Sequence, residues 1–141
     1  MKPEKSTQIS SYAVAVPAGF PSPAMDYVEN RIDLNEAFIK HPLSTFLVES
    51  VGDSMINAFI PPRARLLIDR SLTPKNGDIV LAELDGEFTV KFLKKTDFKC
   101  WLIPANKKYA DIEVSGERQL TIWGVVTAII TEVKDIKGCM I

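Results

Sequence analysis

Ser54 stands in the run Val51-Gly52-Asp53-Ser54-Met55-Ile56, and a serine hydroxyl attacks a carbonyl only when a neighbouring base takes its proton. His41 is the chain's one histidine, and it sits before a proline in Lys40-His41-Pro42. In such a loop a solvated imidazole is the plainer reading, so a histidine triad is poorly supported. Without a histidine, lysine becomes the interesting base, and Lys91 lies in Glu87-Phe88-Thr89-Val90-Lys91-Phe92-Leu93. A lysine acts as a base only as the free amine. Bringing its pKa from about 10.4 to about 7 takes roughly 4–5 kcal/mol of differential solvation, which means burial. Strand alternation puts Thr89, Lys91 and Leu93 on one face and Phe88, Val90 and Phe92 on the other. A lysine on an outer strand face is ordinarily solvated, so spacing leaves its role open. The same holds for Ser54. Gly52 permits a sharp turn, and free N–H groups at the start of a short helix would suit an oxyanion. Asp53 or Ser54 would equally serve as an ordinary helix cap.

Other chemistries leave no trace. The chain carries no Gly-rich phosphate loop, no HExxH and no paired CxxC, and its two cysteines, Cys100 and Cys139, lack metal-site spacing. No metal or cofactor is expected. The formal net charge is -1, and Lys94-Lys95 and Lys107-Lys108 read as solvated turns. Phosphate neutralisation supplies most non-specific DNA affinity, so direct DNA binding is not expected. No apolar run is long enough to span a bilayer, and MKPEKSTQIS lacks a signal-peptide core, which points to the cytoplasm.

The elements follow from patterning. Residues 1–11 are polar and read as a flexible arm. Pro17-Ala18-Gly19-Phe20-Pro21-Ser22-Pro23 holds three prolines and a glycine, which makes it an exposed extended segment. Apolar spacing over 24–40 predicts helix, in one piece or two. Strands are expected at Thr45–Ser50, Arg65–Asp69, Ile79–Leu84, Glu87–Leu93, Cys100–Pro104, Asp111–Val114 and Leu120–Val133. Asn76-Gly77-Asp78 and Asp85-Gly86 supply turns, the second a tight hairpin. The 141 residues suggest one mostly-β domain, barrel- or sandwich-like, with a short helical segment.

Several of these segments together resemble the UmuD proteins, within the wider family of LexA and the phage repressors. The likeness runs through Phe20-Pro21-Ser22-Pro23-Ala24, Asp26-Tyr27-Val28-Glu29 and Arg31-Ile32-Asp33-Leu34-Asn35. It continues through Gly52-Asp53-Ser54-Met55-Ile56, Asp85-Gly86-Glu87-Phe88-Thr89-Val90-Lys91, Leu102-Ile103-Pro104 and Trp123-Gly124-Val125-Val126. The ordered set covers roughly residues 18 to 130, and it is the order that makes it specific. One departure stands out. Relatives carry a Gly-Asp turn after the nucleophile's helix, where this chain has Ile60-Pro61-Pro62-Arg63-Ala64-Arg65.

The resemblance implies a LexA-like peptidase fold in 19–141, behind an arm, 1–18, that the protein removes from itself. Ser54 matches the family nucleophile, Lys91 its base, and Ala18-Gly19 the cleaved bond. The oxyanion falls to the backbone N–H groups of Ser54 and Met55. The resemblance also implies a homodimer and stimulation by the RecA filament on single-stranded DNA. The product would serve a Y-family polymerase in error-prone translesion synthesis during the SOS response. Two rivals are weaker. A type I signal peptidase, which also uses Ser-x-Met and Lys, needs a membrane anchor. A cleavage-incompetent LexA-like interaction module remains, but a repressor needs a DNA-binding domain ahead of the cut, and only 18 residues precede Gly19 here.

Overall fold

The computed structural model describes residues 7–12 and 29–136, and Ala18 and Gly19 lie outside them. The chain divides into two units, 1–40 and 41–141. In the first, β1 (Gln8–Tyr12) pairs antiparallel with β2 (Glu29–Asp33), with Ile9 opposite Ile32. A short helix follows, α1 (Leu34–Phe38). Two expectations change here. The polar opening was expected to stay a flexible arm through residue 11, yet it forms a strand from Gln8, tied by the Arg31 guanidinium to Ser10 Oγ and the Gln8 carbonyl. Of the helix expected over 24–40, the described part, 29–40, is helical only at Leu34–Phe38, because the Glu29–Asp33 backbone bonds to β1 and Asp33 caps the helix through the Asn35 N–H. No residue of α1 is buried, so no packed face rewards a longer helix.

The second unit is a seven-stranded antiparallel sheet. Its strands are β3 (Thr45–Glu49), β4 (Arg65–Asp69), β5 (Ile79–Leu84), β6 (Glu87–Lys95), β7 (Cys100–Ile103), β8 (Ile112–Val114) and β9 (Leu120–Ile130), in spatial order β3-β4-β9-β5-β6-β7-β8. A single turn of helix, α2 (Val133–Ile136), follows β9. The mostly-β expectation holds, and each expected strand forms within a few residues of its expected ends. Asp85 and Gly86 both take positive φ, 51° and 86°, so the β5–β6 hairpin closes on a turn whose twist matches its strands. That turn fixes the register that sets Lys91 opposite Val80. The departure at Pro61-Pro62 also makes a tight turn. Ala64 N–H reaches the Pro61 carbonyl, and Arg63 (φ 72°) supplies the left-handed residue.

Both faces of the sheet are buried. Along β5, Leu81 packs with Met55, Ile60, Ala64, Leu66 and Ile68, while Val80, Ala82 and Leu84 pack on the opposite side with Leu93 and Leu102. Strand β9 runs between β4 and β5 and shifts register against each, which leaves Trp123 and Thr127 as extra residues. On β9, Gly124 lies opposite Leu81 and packs close against β4. A methyl group there would come within 2.6 Å of Ile68 Cγ2 and 2.9 Å of the Asp69 carbonyl oxygen. Backbone cannot yield as a side-chain tip can. Gly124→Ala is therefore expected to lower unfolding stability by about 1–3 kcal/mol, read by chemical denaturation; a variant as stable as the parent would contradict this packing.

Candidate functional site

Ser54 and Lys91, 37 residues apart in sequence, meet at a depression of about 530 Å³. Ser54 sits in the turn that follows β3, where Gly52 (φ 81°) adopts the backbone conformation glycine tolerates best. The chain then winds into a single 3-10 turn, Ile56–Ala58, without a side-chain cap. The Asp53 or Ser54 cap left open by the sequence is therefore absent. Among the described residues, no acceptor engages the backbone N–H of Ser54 or of Met55.

Lys91 projects from β6 on the face opposite Val90 and is only 8% exposed, not the solvated side chain ordinary on an outer strand face. Its Nζ donates to Ser54 Oγ at 2.9 Å, to Thr89 Oγ1 at 2.7 Å and to the Val90 carbonyl at 3.1 Å. Among the described residues no carboxylate bonds it. Burial therefore acts unopposed and pushes the Lys91 ammonium below the ordinary lysine range. The depression is walled largely by apolar groups, including Phe46, Val48, Leu81, Phe88 and Trp123. A smaller hollow of about 350 Å³ shares Val51, Gly52, Ser54 and Lys91 and continues toward Tyr109 and Ile112. The Ser–Lys pair thus stands where two hollows meet. Once it has lost its proton, an amine bonded to a hydroxyl, beside unengaged amides and an open apolar trough, can generate an alkoxide against an extended chain.

Sequence reasoning missed the surroundings of Asp53. Its carboxylate accepts from Tyr109 Oη at 2.6 Å and from Lys108 Nζ at 3.1 Å, and these two bonds hold it below the usual carboxylate range. Lys108, read as a solvated turn lysine, is thus an ion-pair partner. No local signal marks this contact, which spans more than fifty residues. Thr89 was noted as a face-mate of Lys91 but not as its bonding partner.

His41 lies apart from the Ser54 trough and does not line it. Rather than being merely solvated, its Nδ1 meets Asp69 Oδ2 at 2.5 Å. Asp69 is buried, and burial opposes its charge. Bonds from the Ser71 hydroxyl, His41, the Ser71 N–H and the Ser44 hydroxyl more than offset this, so its carboxyl lies well below the usual range. Both serine hydroxyls bond the carboxylate, not the imidazole, which makes this a structural knot. Among the described residues, no three His, Cys, Asp or Glu side chains cluster to hold a metal.

Residues 10–127 match the model of a family described as Peptidase S24-like. The chain is 45% identical to Protein SamA of Salmonella typhimurium over 81% of its own length and 79% of that protein's. It is 38% identical to Protein MucA of Escherichia coli over 84% of this chain and 82% of that one. It is also 39% identical to the LexA repressor of Ectopseudomonas mendocina, covering 82% of this chain but 56% of the repressor.

The buried amine carries a measurable consequence for stability. The Lys91 pKa is lower in the folded state than the ordinary 10.5, so the unfolded chain binds more protons between those two values. Stability therefore rises with pH through that window, and the penalty is full below it. Lys91→Met removes the penalty and is expected to gain about 0.5–2 kcal/mol near neutral pH, with the advantage shrinking toward pH 10.5. Denaturant titrations of both proteins across pH test this, and an advantage that grows with pH would contradict it.

Proposed function

The chain belongs to the Peptidase S24-like family, and on that premise we propose that Ser54 and Lys91 are the nucleophile and base of a peptidase that cuts its own Ala18-Gly19 bond. The observation that carries this reading is the 2.9 Å contact between Lys91 Nζ and Ser54 Oγ in a depression where Lys91 has no carboxylate partner among the described residues. Neutral Lys91 takes the Ser54 proton as Oγ attacks the Ala18 carbonyl. The developing oxyanion is held by the Ser54 and Met55 N–H groups, which no other acceptor engages among the described residues. Lys91 then gives its proton to the departing Gly19 amine. It next takes one from the water that releases the acyl-enzyme. Thr89 keeps the amine aimed throughout. Gly19 lacks a Cβ to obstruct the approach, and Pro17 pre-extends the chain that must lie along the trough.

A tethered substrate has a high effective concentration, so the rate depends on how often the arm docks productively. A protein that stabilises the docked arm is then a switch. The reading assigns that role to the RecA filament on single-stranded DNA. The 19–141 product, as a homodimer in the cytoplasm, serves a Y-family translesion polymerase in the SOS response. The chain's likeness to SamA, MucA and LexA supports this assignment. The near-neutral net charge of -1 supports a role through protein partners and not through DNA. No described helix is long and apolar enough to cross a membrane.

Incubation of the purified full chain at increasing pH tests the dyad. The neutral-amine fraction of Lys91 grows with pH, so release of residues 1–18 should accelerate from neutral toward alkaline conditions. Ser54→Ala and Lys91→Ala should each slow it at least about 10³-fold. A chain that stays intact both in alkali and with activated RecA would sink the reading. Cleavage that survives in Lys91→Ala would remove the base from it.

A further inference from the structure

Ser54 sits in a turn, where no strand ladder fixes its backbone. Within the turn only the Ile56 N–H, donating to the Asp53 carbonyl at 3.2 Å, holds these peptide groups, and the other bonds to them come from the 104–111 connection between β7 and β8. Ala105 N–H donates to the Ser54 carbonyl at 2.8 Å, and the Asn106 side-chain amide donates to the Asp53 carbonyl at 2.9 Å. The grip is returned from the far side of the turn, where Asn57 N–H donates to the Ala105 carbonyl at 2.9 Å. An outer brace joins the same two segments through the Tyr109 and Lys108 bonds to the Asp53 carboxylate. The gripping segment is itself folded on Asn106, whose carbonyl accepts from Tyr109 N–H at 3.1 Å and whose Oδ1 accepts from Lys108 N–H at 3.0 Å.

These contacts act on peptide planes, not merely on residues. The Asp53 carbonyl shares a plane with the Ser54 N–H, and the Ser54 carbonyl shares one with the Met55 N–H. The described backbone has no cis peptide, so in each plane the N–H points opposite to its carbonyl. Both carbonyls are turned toward residues 105 and 106, and both N–H groups must therefore point away from them. We propose that the 105–109 segment is the positioning element of the site, holding two carbonyls so that the Ser54 and Met55 amides converge on the oxyanion, with Asn106 and Tyr109 as its positioning residues. The inference rests on the Ser54/Lys91 reading and adds to it what aims the amides.

Two substitutions in the full chain isolate the effect. Asn106→Asp is isosteric and keeps the Oδ1 that accepts from Lys108 N–H, but it replaces the donor to the Asp53 carbonyl with an acceptor. Tyr109→Phe removes only the hydroxyl that braces Asp53. Two rates are followed: self-cleavage in alkali, and reaction with a small fluorophosphonate, in which Ser54 Oγ displaces fluoride from phosphorus and the hydroxyl proton leaves with it. The small probe needs the amides but not the arm. Misaimed amides should slow both reactions together, by about 10–100-fold for Asn106→Asp and less for Tyr109→Phe. In Tyr109→Phe, which adds no charge, the midpoint of the pH profile should not move, because the contacts of Lys91 are untouched.

Cleavage within twofold of the parent in both variants overturns the proposal. So does slowed cleavage with parental probe reactivity, which would make the segment a docking surface for the arm, and so does a shifted midpoint in Tyr109→Phe. If Asn106→Asp fails to give a cooperative melting transition, Tyr109→Phe decides alone by the same criteria. A parent protein that neither cleaves nor reacts with the probe defeats the Ser54/Lys91 reading itself, and the proposal falls with it.

Discussion

A primary amine largely withdrawn from water, with no carboxylate partner among the described residues, is the constraint around which the second unit is organised. Lys91 keeps three hydrogen-bond acceptors, and all three are uncharged. A carboxylate in their place would favour the ammonium. The fold therefore has to bury the side chain and satisfy its hydrogens while keeping acids away. It meets the first demand with the strand. Leu93 on the same face of β6 sits in the core, while Val90 and Phe92 pack against the opposite cluster. It meets the second with Thr89, two residues away on that face. It meets the third by giving the nearby acid, Asp53, its own partners in Tyr109 and Lys108.

Placing that amine against a hydroxyl from a distant part of the chain requires a rigid frame. The β5–β6 hairpin owes its register to two consecutive positive-φ residues, so a slip there would turn Lys91 to the other face. Strand β9 joins the two halves of the sheet, and its irregularity at Trp123 re-aims an aromatic ring into the trough wall. The indole N–H is then satisfied by Glu83 at 2.9 Å. The close approach at Gly124 sets β4 tight against β9, and the Asp69 knot ties the end of β4 to His41 and Ser44 ahead of β3, the strand from which the Ser54 turn emerges.

Much of this frame was legible before any coordinates, and the reasons differ by residue. Asp85-Gly86 is a local signal with a local cause, and the strands flanking it fall where alternation puts them. The pairing of Ser54 with Lys91 was another matter, since each residue alone had a plainer reading and only the ordered likeness to the UmuD proteins joined them. Alternation says which residues share a face but not what covers that face, so the burial of Lys91 was out of reach. The strand at Glu29–Asp33 was mistaken for helix because Ile32 and Leu34 fit either period, and the deciding partner, Gln8–Tyr12, lies some twenty residues upstream. The grip of Ala105, Asn106, Lys108 and Tyr109 on the Ser54 turn was unreadable for a similar reason. Polar residues in a loop look alike until the fold brings them to their acceptors.

The trough beside Lys91 is open, and the Val14-Ala15-Val16-Pro17-Ala18 segment that the proposed reaction would lay in it carries no charge. An apolar chain entering there displaces water from around the amine and makes the ammonium still less favourable. Delivery of the bond and loss of the proton are then two sides of one equilibrium. Thermodynamic reciprocity requires the converse: a chain that docks better on the neutral amine must dock more tightly as pH rises. The arm would thus be an effector of its own catalyst, and a partner that favours docking would raise the supply of active base without touching Lys91.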